Sequence, residues 1–195
     1  NQAARVLLLN RGLSSAIYKN SDELVFDYAQ YFTLHRLLSP RVERSLVLGA
    51  GAFVLPQAMA AEWPQAQIEA VDIEPQLLPV AQEYFGYRNH TRIHHTFTDG
   101  RRYLEDSEHQ YDMIFGDAYS TYYAVPSHMA SLEFLHMAKQ KLAPDGLFIG
   151  NFIGTLADTK PSFLLSELRT FQRVFPNSQF FATQDKHDPN LIQNI

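Results

Sequence analysis

The sequence contains no cysteine, and that absence removes several kinds of structure and chemistry. The 195-residue chain can form no disulfide, carries no thiolate nucleophile and has no cysteine ligand for zinc. It also lacks an apolar run near the ~18 residues of a membrane helix, and it lacks the basic and apolar segments of a signal peptide. We therefore expect no membrane contact, and the cytoplasm is the default location for such a chain.

Strong charge of either sign is also missing. Sixteen basic and twenty-one acidic residues give a formal net charge of −5, without a block of like charge, so we expect no nucleic-acid partner. The eight histidines lack the spacing of metal ligands, since the adjacent His94 and His95 point to opposite faces of a predicted strand. We expect no metal, and we interpret His128 and His136 as structural or surface groups.

Apolar residues are plentiful enough for one core, because 46% of the chain is hydrophobic and 13% is aromatic. A β-hairpin is predicted from residues 5–9 and 14–18, and a helix is predicted from Phe26 to Leu38. The chain begins at Asn1 and ends in a strand-like run, which suggests a piece excised from a longer protein.

Strands and helices alternate after residue 44. The predicted strands are 45–48, 67–71, 92–97, 111–115 and 146–152, and the predicted helices are 53–62, 75–84, a short one near 101, 127–142 and 161–175. This alternation predicts an α/β fold with a doubly wound, mostly parallel Rossmann-like sheet. Two strand-like pieces in the tail, 178–183 and 191 onward, are predicted to form an antiparallel pair at the sheet edge.

A glycine-rich turn follows the first strand of this pattern. Gly49 and Gly51 allow the backbone to turn sharply and to approach a ligand closely. The third glycine of the dinucleotide fingerprint is replaced by Val54, which argues against NAD or FAD. A nucleoside without a pyrophosphate, such as S-adenosylmethionine or a relative, fits better. A tight strand-to-helix turn without a ligand remains the alternative.

Carboxylates follow the next three strands. We expect Asp72 to accept from ribose hydroxyls, Asp99 to accept from an adenine amino group beside Gly100, and Asp117 to act as a base or to hold a cationic amine. Each also has a plainer interpretation, as a helix cap at Asp72 and Asp117 and as an ordinary turn at Asp99–Gly100. Glu74 could replace Asp72 in its role.

The loop from 118 to 126 carries three tyrosines, which is unusual for a simple connection. Aromatic faces attract cations, so Tyr119 and Tyr122 are candidates for contact with an amine substrate. The alternative is that these rings pack on the sheet edge.

These motifs, taken in order, resemble the spermidine synthase (polyamine aminopropyltransferase) family, a branch of the class I methyltransferase fold. The resemblance covers residues 14–183 and includes two further segments, Phe26-Asp-Tyr28 and the helix ending Tyr84-Phe85. The segment Leu142-Ala-Pro-Asp-Gly146 also matches, but many methyltransferases share it.

The resemblance implies a role for each candidate residue. The nucleoside would be bound by Gly49, Gly51, Asp72, Asp99 and Gly100, the attacking amine would be activated by Asp117, and the acceptor would contact Tyr28, Tyr119, Ser120 and Tyr122. Decarboxylated S-adenosylmethionine would be the co-substrate, without a metal, and a small-molecule amine such as putrescine would be the partner. A cytoplasmic homodimer is also implied. We interpret residues 1–25 as the remnant of the family's larger N-terminal β-domain and residues 26–195 as the nucleoside-binding domain.

Three positions depart from the family. Ala52 replaces an aspartate that binds the amine of the aminopropyl group, Ser120 replaces the second acid of the loop after strand four, and Gln30 replaces a third acid. Loss of the acid at 52 also removes the repulsion that would exclude the carboxylate of intact S-adenosylmethionine. A small-molecule methyltransferase is therefore one alternative, and a catalytically silent nucleoside-binding module is another.

Overall fold

The computed structural model describes residues 3–9, 12–21, 23–38, 41–119, 124–157, 162–185 and 187–195. Its strands are β1 (Ala4–Leu9), β2 (Gly12–Tyr18), β3 (Arg44–Leu48), β4 (Gln67–Asp72), β5 (Ile93–Phe97), β6 (Tyr111–Gly116), β7 (Leu142–Gly150), β8 (Ile153–Gly154) and β9 (Gln193–Asn194). Its helices are α1 (His35–Leu38), α2 (Val54–Glu62), α3 (Leu77–Tyr84), α4 (Gly100–Asp106), α5 (Leu132–Gln140) and α6 (Phe163–Val174), and a 3₁₀ helix spans Asp27–Leu34.

Five strands form a central sheet in the order β5-β4-β3-β6-β7, and every neighbouring pair is parallel. The chain runs outward from β3 to β5 and then returns to β6 on the other side of β3. The switch point of the sheet therefore lies between the carboxyl ends of β3 and β6, where open α/β sheets bind their ligands. The predicted α/β fold class is confirmed, including the N-terminal antiparallel hairpin of β1 and β2.

Both faces of the sheet are covered, which explains the near-continuous apolar strands. In β3, Val47 packs into the cluster that contains α2, while Leu46 and Leu48 pack into the cluster that contains α5. The three side chains have no exposed surface. Among the described residues, no helix is long and apolar enough to cross a membrane.

Two predicted helices differ from the structure at their first turns. The helix predicted from Phe26 is 3₁₀ for its first eight residues and becomes α-helical only at His35. The helix predicted from Ser127 begins at Leu132, because the hydroxyl of Ser131 accepts a hydrogen bond from the backbone N–H of Phe134 and caps the helix there.

The prediction for the tail was wrong in its pairing. Residues 178–183 do not form a strand, and the antiparallel partner of β9 is β8, directly after the last sheet strand. These two short strands form a separate sheet beside the central one. The pairing brings Asn194 next to Asn151, and Asn151 is a residue of the candidate active site.

Candidate active site

The carboxyl ends of β3 and β6 come into direct contact at the switch point. The backbone N–H of Asp117 donates to the carbonyl of Leu48 at 2.8 Å. Gly49 has φ +91°, and a Cβ there would lie 2.3 Å from the backbone oxygen of Asp117. Because no side chain fits in that distance, glycine at 49 is required by the approach of the Asp117 backbone.

The carboxylate of Asp117 is bound by two side chains from distant parts of the chain. Tyr28 Oη donates to Oδ2 at 2.9 Å, and Asn151 Nδ2 donates to Oδ1 at 2.7 Å. The pKa of Asp117 is raised to about 7, because desolvation, the largest effect, and the nearby charge of Asp72 together outweigh the lowering effect of the two hydrogen bonds. The residue as a whole is half-buried, and a pKa of about 7 lets its carboxylate gain or lose a proton near neutral pH.

Two tyrosines lie beside the Asp117 carboxylate: Tyr28 donates to it, and Tyr119 donates to a neighbouring backbone oxygen. Burial, followed by the charge of Asp117, raises the pKa of Tyr28 and of Tyr119 well above the ordinary value. Tyr119 Oη donates to the backbone oxygen of Asn151 at 2.7 Å. The structure therefore brings Tyr28 and Tyr119 to the candidate base. Two other candidates in the tyrosine loop, Ser120 and Tyr122, lie outside the described residues.

Asp72 connects the end of β4 to the glycine turn. Its Oδ2 accepts from the backbone N–H of Gly51 at 3.0 Å, and its Oδ1 accepts from the backbone N–H of Glu74 at 3.1 Å. Desolvation raises the pKa of Asp72, and these backbone donors partly offset that effect. The backbone N–H groups of Ala50 and Ile73 also lower the pKa of this carboxylate, so a ribose hydroxyl would join a group of backbone donors there. Glu74 itself is exposed and accepts from the backbone N–H of Gln76.

The N-terminal hairpin covers the glycine turn. Gly51 has φ +52°, and a Cβ there would lie 2.5 Å from the hydroxyl oxygen of Ser15. The same oxygen accepts from the backbone N–H of Ala52 at 2.9 Å. Ala52 itself has no exposed surface.

Asp99 has partners of its own at the end of β5. Its Oδ1 accepts from the backbone N–H of Arg102 at 3.0 Å and caps α4, which begins at Gly100. Its Oδ2 lies 2.7 Å from His128 Nε2. A Cβ on Gly100 would lie 2.9 Å from the methyl group of Met129, so the segment after the tyrosine loop closes over this strand end.

Sequence reasoning missed three residues that contact the candidates. His128, interpreted above as a structural or surface group, binds Asp99, and Ser15 binds the glycine turn. Asn151, which binds Asp117, was not considered, although a polar residue directly after the last sheet strand is a usable signal. Within the described ranges, no three His, Asp or Glu side chains converge as metal ligands would.

Curated proteins of two kinds are similar to the chain in sequence. A polyamine aminopropyltransferase of Vibrio vulnificus is 31% identical over 137 residues, which are 68% of this chain and 45% of that protein. A probable polyamine aminopropyl transferase of Bifidobacterium longum is 30% identical over 140 residues, 72% of this chain and 30% of that protein. The eEF1A lysine and N-terminal methyltransferase of Bos taurus is 31% identical over 142 residues, 67% of this chain and 20% of that protein. The chain thus matches less than half the length of each of these three relatives.

Solved structures share the fold, while no family model matches the chain. A probable spermidine synthase from Corynebacterium glutamicum has a TM-score of 0.71 at 19% identity, and the match covers 93% of this chain and 79% of that one. A spermidine synthase in complex with the transition state analogue AdoDATO has a TM-score of 0.67 at 15% identity, covering 97% and 62%. Human methyltransferase-like protein 13 in complex with SAH has a TM-score of 0.56 at 18% identity, covering 83% and 98%. The resemblance inferred from the motifs is therefore confirmed: the chain is similar in sequence to polyamine aminopropyltransferases, and it has the Rossmann-like fold that spermidine synthases share with class I methyltransferases.

Proposed function

We propose that this protein transfers an aminopropyl group from decarboxylated S-adenosylmethionine to the nitrogen of a small-molecule amine. The observation that carries the proposal is Asp117, a partly desolvated carboxylate at the switch point with a pKa of about 7. A base of that strength can remove a proton from an ammonium substrate and still be ionised near neutral pH. Homology to proteins named polyamine aminopropyltransferase supports the same reaction.

The residues at the strand ends suit the two reactants. Asp72 and Asp99 would hold the ribose and the adenine, because their carboxylates end adjacent strands at one edge of the sheet. When bound, the nucleoside supplies a propyl carbon that its sulfonium makes electrophilic: the amine nitrogen would form a bond to this carbon as the carbon–sulfur bond breaks, and neutral methylthioadenosine would leave. Asp117 would take the proton of the attacking amine, and Tyr28 would hold the Asp117 carboxylate in place through Oδ2. The protein's contribution is thus orientation and proton removal.

The test uses purified protein with decarboxylated S-adenosylmethionine and a panel of diamines and polyamines, with products identified by mass. Asp117→Asn should lower the transfer rate by roughly 10²–10⁴-fold and leave nucleoside binding intact. Asp106→Asn is the matched control, because its exposed carboxylate pairs with Arg102 at the surface. A rate in Asp117→Asn equal to that of the unchanged protein would remove Asp117 from the chemistry.

Transfer of a methyl group is the second candidate, and the absence of an acid at position 52 favours it. The family's aspartate for the aminopropyl amine is absent at this position, and the alanine methyl is enclosed below Ser15. No carboxylate at position 52 would then repel the carboxylate of intact S-adenosylmethionine. The similarity to eEF1A lysine and N-terminal methyltransferases is consistent with it.

Labelled nucleosides separate the candidates. Transfer of a labelled methyl group from S-adenosylmethionine to an amine would support the methyltransferase, and binding of the decarboxylated form alone would contradict it. Measurable binding of both nucleosides with no product from either would contradict both transferases and support a non-catalytic nucleoside-binding module.

A further inference from the structure

The last strand, β9, lies beside the candidate base. Its residue Asn194 pairs with Ile153 of β8, and its side chain reaches Asn151. Asn194 Nδ2 donates to Asn151 Oδ1 at 2.9 Å, and Asn151 Nδ2 donates to Asp117 Oδ1 at 2.7 Å. Two consecutive amide hydrogen bonds therefore connect β9 to the carboxylate of Asp117.

The two ends of the Asn151 side chain are not equivalent. One end of an amide donates and the other accepts, whereas an ionised carboxylate only accepts. The end that faces the ionised Asp117 carboxylate must therefore be Nδ2, and Oδ1 points away from it. Asn151 is only 4% exposed, so Oδ1 needs a donor from the protein. Within the described ranges, that donor is Asn194 Nδ2.

The backbone around Asn151 is held by bonds of its own. The Asn151 N–H donates to the oxygen of Gly116 at 2.9 Å, and the Asn151 oxygen accepts from Tyr119 Oη. The N–H and the oxygen of the next residue, Phe152, both pair with Ile195. With the backbone held in this way, the bond from the tail selects between the two orientations of the Asn151 amide.

Asn194 is also fixed by bonds that do not involve its side chain. Its backbone oxygen accepts from the N–H and from the hydroxyl of Thr183, each at 3.1 Å. The neighbouring Gln193 binds the backbone of residues 184 and 185 through three hydrogen bonds of its amide. The Asn194 side chain can therefore be changed without removing the bonds that attach β9 to the rest of the tail.

We propose that Asn194 is a positioning residue of the candidate active site: it holds the Asn151 amide with its donor end toward Asp117 and so sets how tightly the Asp117 carboxylate binds a proton. The inference rests on the proposed role of Asp117 as the base. Loss of the Asn194 donor would leave Asn151 Oδ1 buried without a partner. The amide could then also adopt the reverse orientation, in which Oδ1 faces Asp117 and accepts from it only when the carboxyl group is protonated. The proton affinity of Asp117 should therefore rise.

Asn194 is neutral, so its replacement with leucine leaves the charges around Asp117 unchanged. Desolvation and the charge of Asp72 raise the pKa of Asp117 in the unchanged protein, and the bond from Asn151 lowers it. The titratable side chains that face Asp117 or its neighbours come from other parts of the chain: Tyr28, Asp72, Tyr119 and Glu167. None of these four lies on β9, so a changed pKa of Asp117 in Asn194→Leu would reflect the amide and not a charge.

The test measures the pKa of Asp117 directly, from the carbon-13 chemical shift of its carboxyl group in NMR spectra of the protein without substrate. Asp117→Asn assigns the signal, and circular dichroism verifies that each variant is folded. Asn194→Leu should raise the pKa by about half a unit, which is about a threefold rise in proton affinity. Thr183→Val is the matched control, because it removes a bond to the Asn194 backbone but keeps the Asn194 side chain, and it should leave the pKa unchanged.

A double variant separates positioning from a general effect on the tail. Asn194 acts through Asn151, so Asn194→Leu should add nothing to the change that Asn151→Leu causes. Asn194→Asp is a second single variant in case the leucine does not pack. It keeps the shape of asparagine but replaces the donor with an acceptor, so it should raise the pKa of Asp117 at least as much.

An unchanged pKa of Asp117 in the folded Asn194 variant, or additive changes in the double variant, would overturn the proposal. An equal rise in Thr183→Val would also overturn it, because the position of the strand and not the amide would then be responsible. If the unchanged protein transfers no aminopropyl group, a raised pKa in Asn194→Leu would still support the contact, and only the proposed function would fail.

Discussion

Two aspartates at the carboxyl edge of the sheet, Asp117 after β6 and Asp99 after β5, differ in proton affinity because their carboxylates have different surroundings. At Asp117 the loss of water dominates, and two side-chain hydrogen bonds offset it only in part. At Asp99 desolvation is again the largest effect, but donors from Arg102 and His128 together outweigh it and hold the pKa below its usual value. Asp117 is therefore suited to accept a substrate proton, while Asp99 is suited to remain a charged acceptor.

Asn151 should set the proton affinity of Asp117. Replacing it with leucine removes a donor at 2.7 Å that lowers the pKa of the carboxylate. The acidic limb of the profile of kcat/KM against pH should then shift upward by about one unit. Asn89→Ala, at an exposed site, is the control and should leave the limb in place. An unshifted limb in Asn151→Leu would show that this hydrogen bond does not tune the base.

Glu167 should make the protein less stable as the pH rises. Its pKa in the folded protein is raised from 4.5 to about 7, so the folded state binds the proton more tightly than the unfolded state does. Folding stability is then fully retained below the unfolded pKa and falls as the pH passes through the folded value. Glu167→Gln removes this loss and should raise the free energy of unfolding by roughly 3 kcal/mol above neutral pH, with little change in acid. Urea unfolding at both extremes measures this, and a gain of equal size at both would contradict it.

At the scale of elements, the segments predicted most accurately were those whose sequence pattern indicates which residues are buried. The strand predicted at 45–48 is Arg44–Leu48, and the helix predicted at 53–62 is Val54–Glu62. Apolar runs and helical spacing indicate which side chains face the core, so this strand and this helix can be predicted from local sequence. The predicted strands also placed the glycine turn and the strand-end carboxylates together, because parallel strands bring their carboxyl ends to one edge of the sheet.

Contacts between distant segments were not predictable in this way. The partner of β9 depends on the path of the chain after β7, and the sequence of the tail does not indicate that path. The bonds from Asn151 to Asp117 and from His128 to Asp99 join residues 34 and 29 positions apart. Neither pair forms a local pattern, so only the assembled sheet identifies them.

The glycine turn should tolerate no side chain at 49. Gly49→Ala places a Cβ against the Asp117 backbone oxygen, so the turn or the end of β6 must move. Gly86→Ala is the matched control, since Gly86 has φ +67° but nothing within 4 Å of its Cβ position. Both variants should lose about 1–2 kcal/mol to left-handed backbone strain, and Gly49→Ala should lose more. Thermal shift with the nucleoside should show impaired binding in Gly49→Ala alone, and equal binding in both variants would contradict this account.

At the scale of the whole molecule, the N-terminal hairpin packs onto the domain that carries the site. Leu7 and Ile17 contact the core cluster that contains Ala52 and Phe53. From the same strand as Ile17, Ser15 contacts the glycine turn. The hairpin and Asp72 thus each accept a hydrogen bond from the glycine turn, and the conformation of the turn depends on both.

Removal of residues 1–18 should therefore weaken nucleoside binding while leaving the central sheet folded. The sheet keeps its own two-sided core, so the circular dichroism spectrum should retain its α/β character. The turn loses the acceptor for the Ala52 N–H, and a lost hydrogen bond of about 1 kcal/mol corresponds to roughly fivefold weaker binding if it is needed only in the bound conformation. Ser15→Ala removes that bond but keeps the packing of Leu7 and Ile17, so its affinity should lie between those of the truncated and unchanged chains. Calorimetric titration with S-adenosylmethionine and its decarboxylated form measures all three, and equal affinity in the truncated and unchanged chains would show that the hairpin does not support the site.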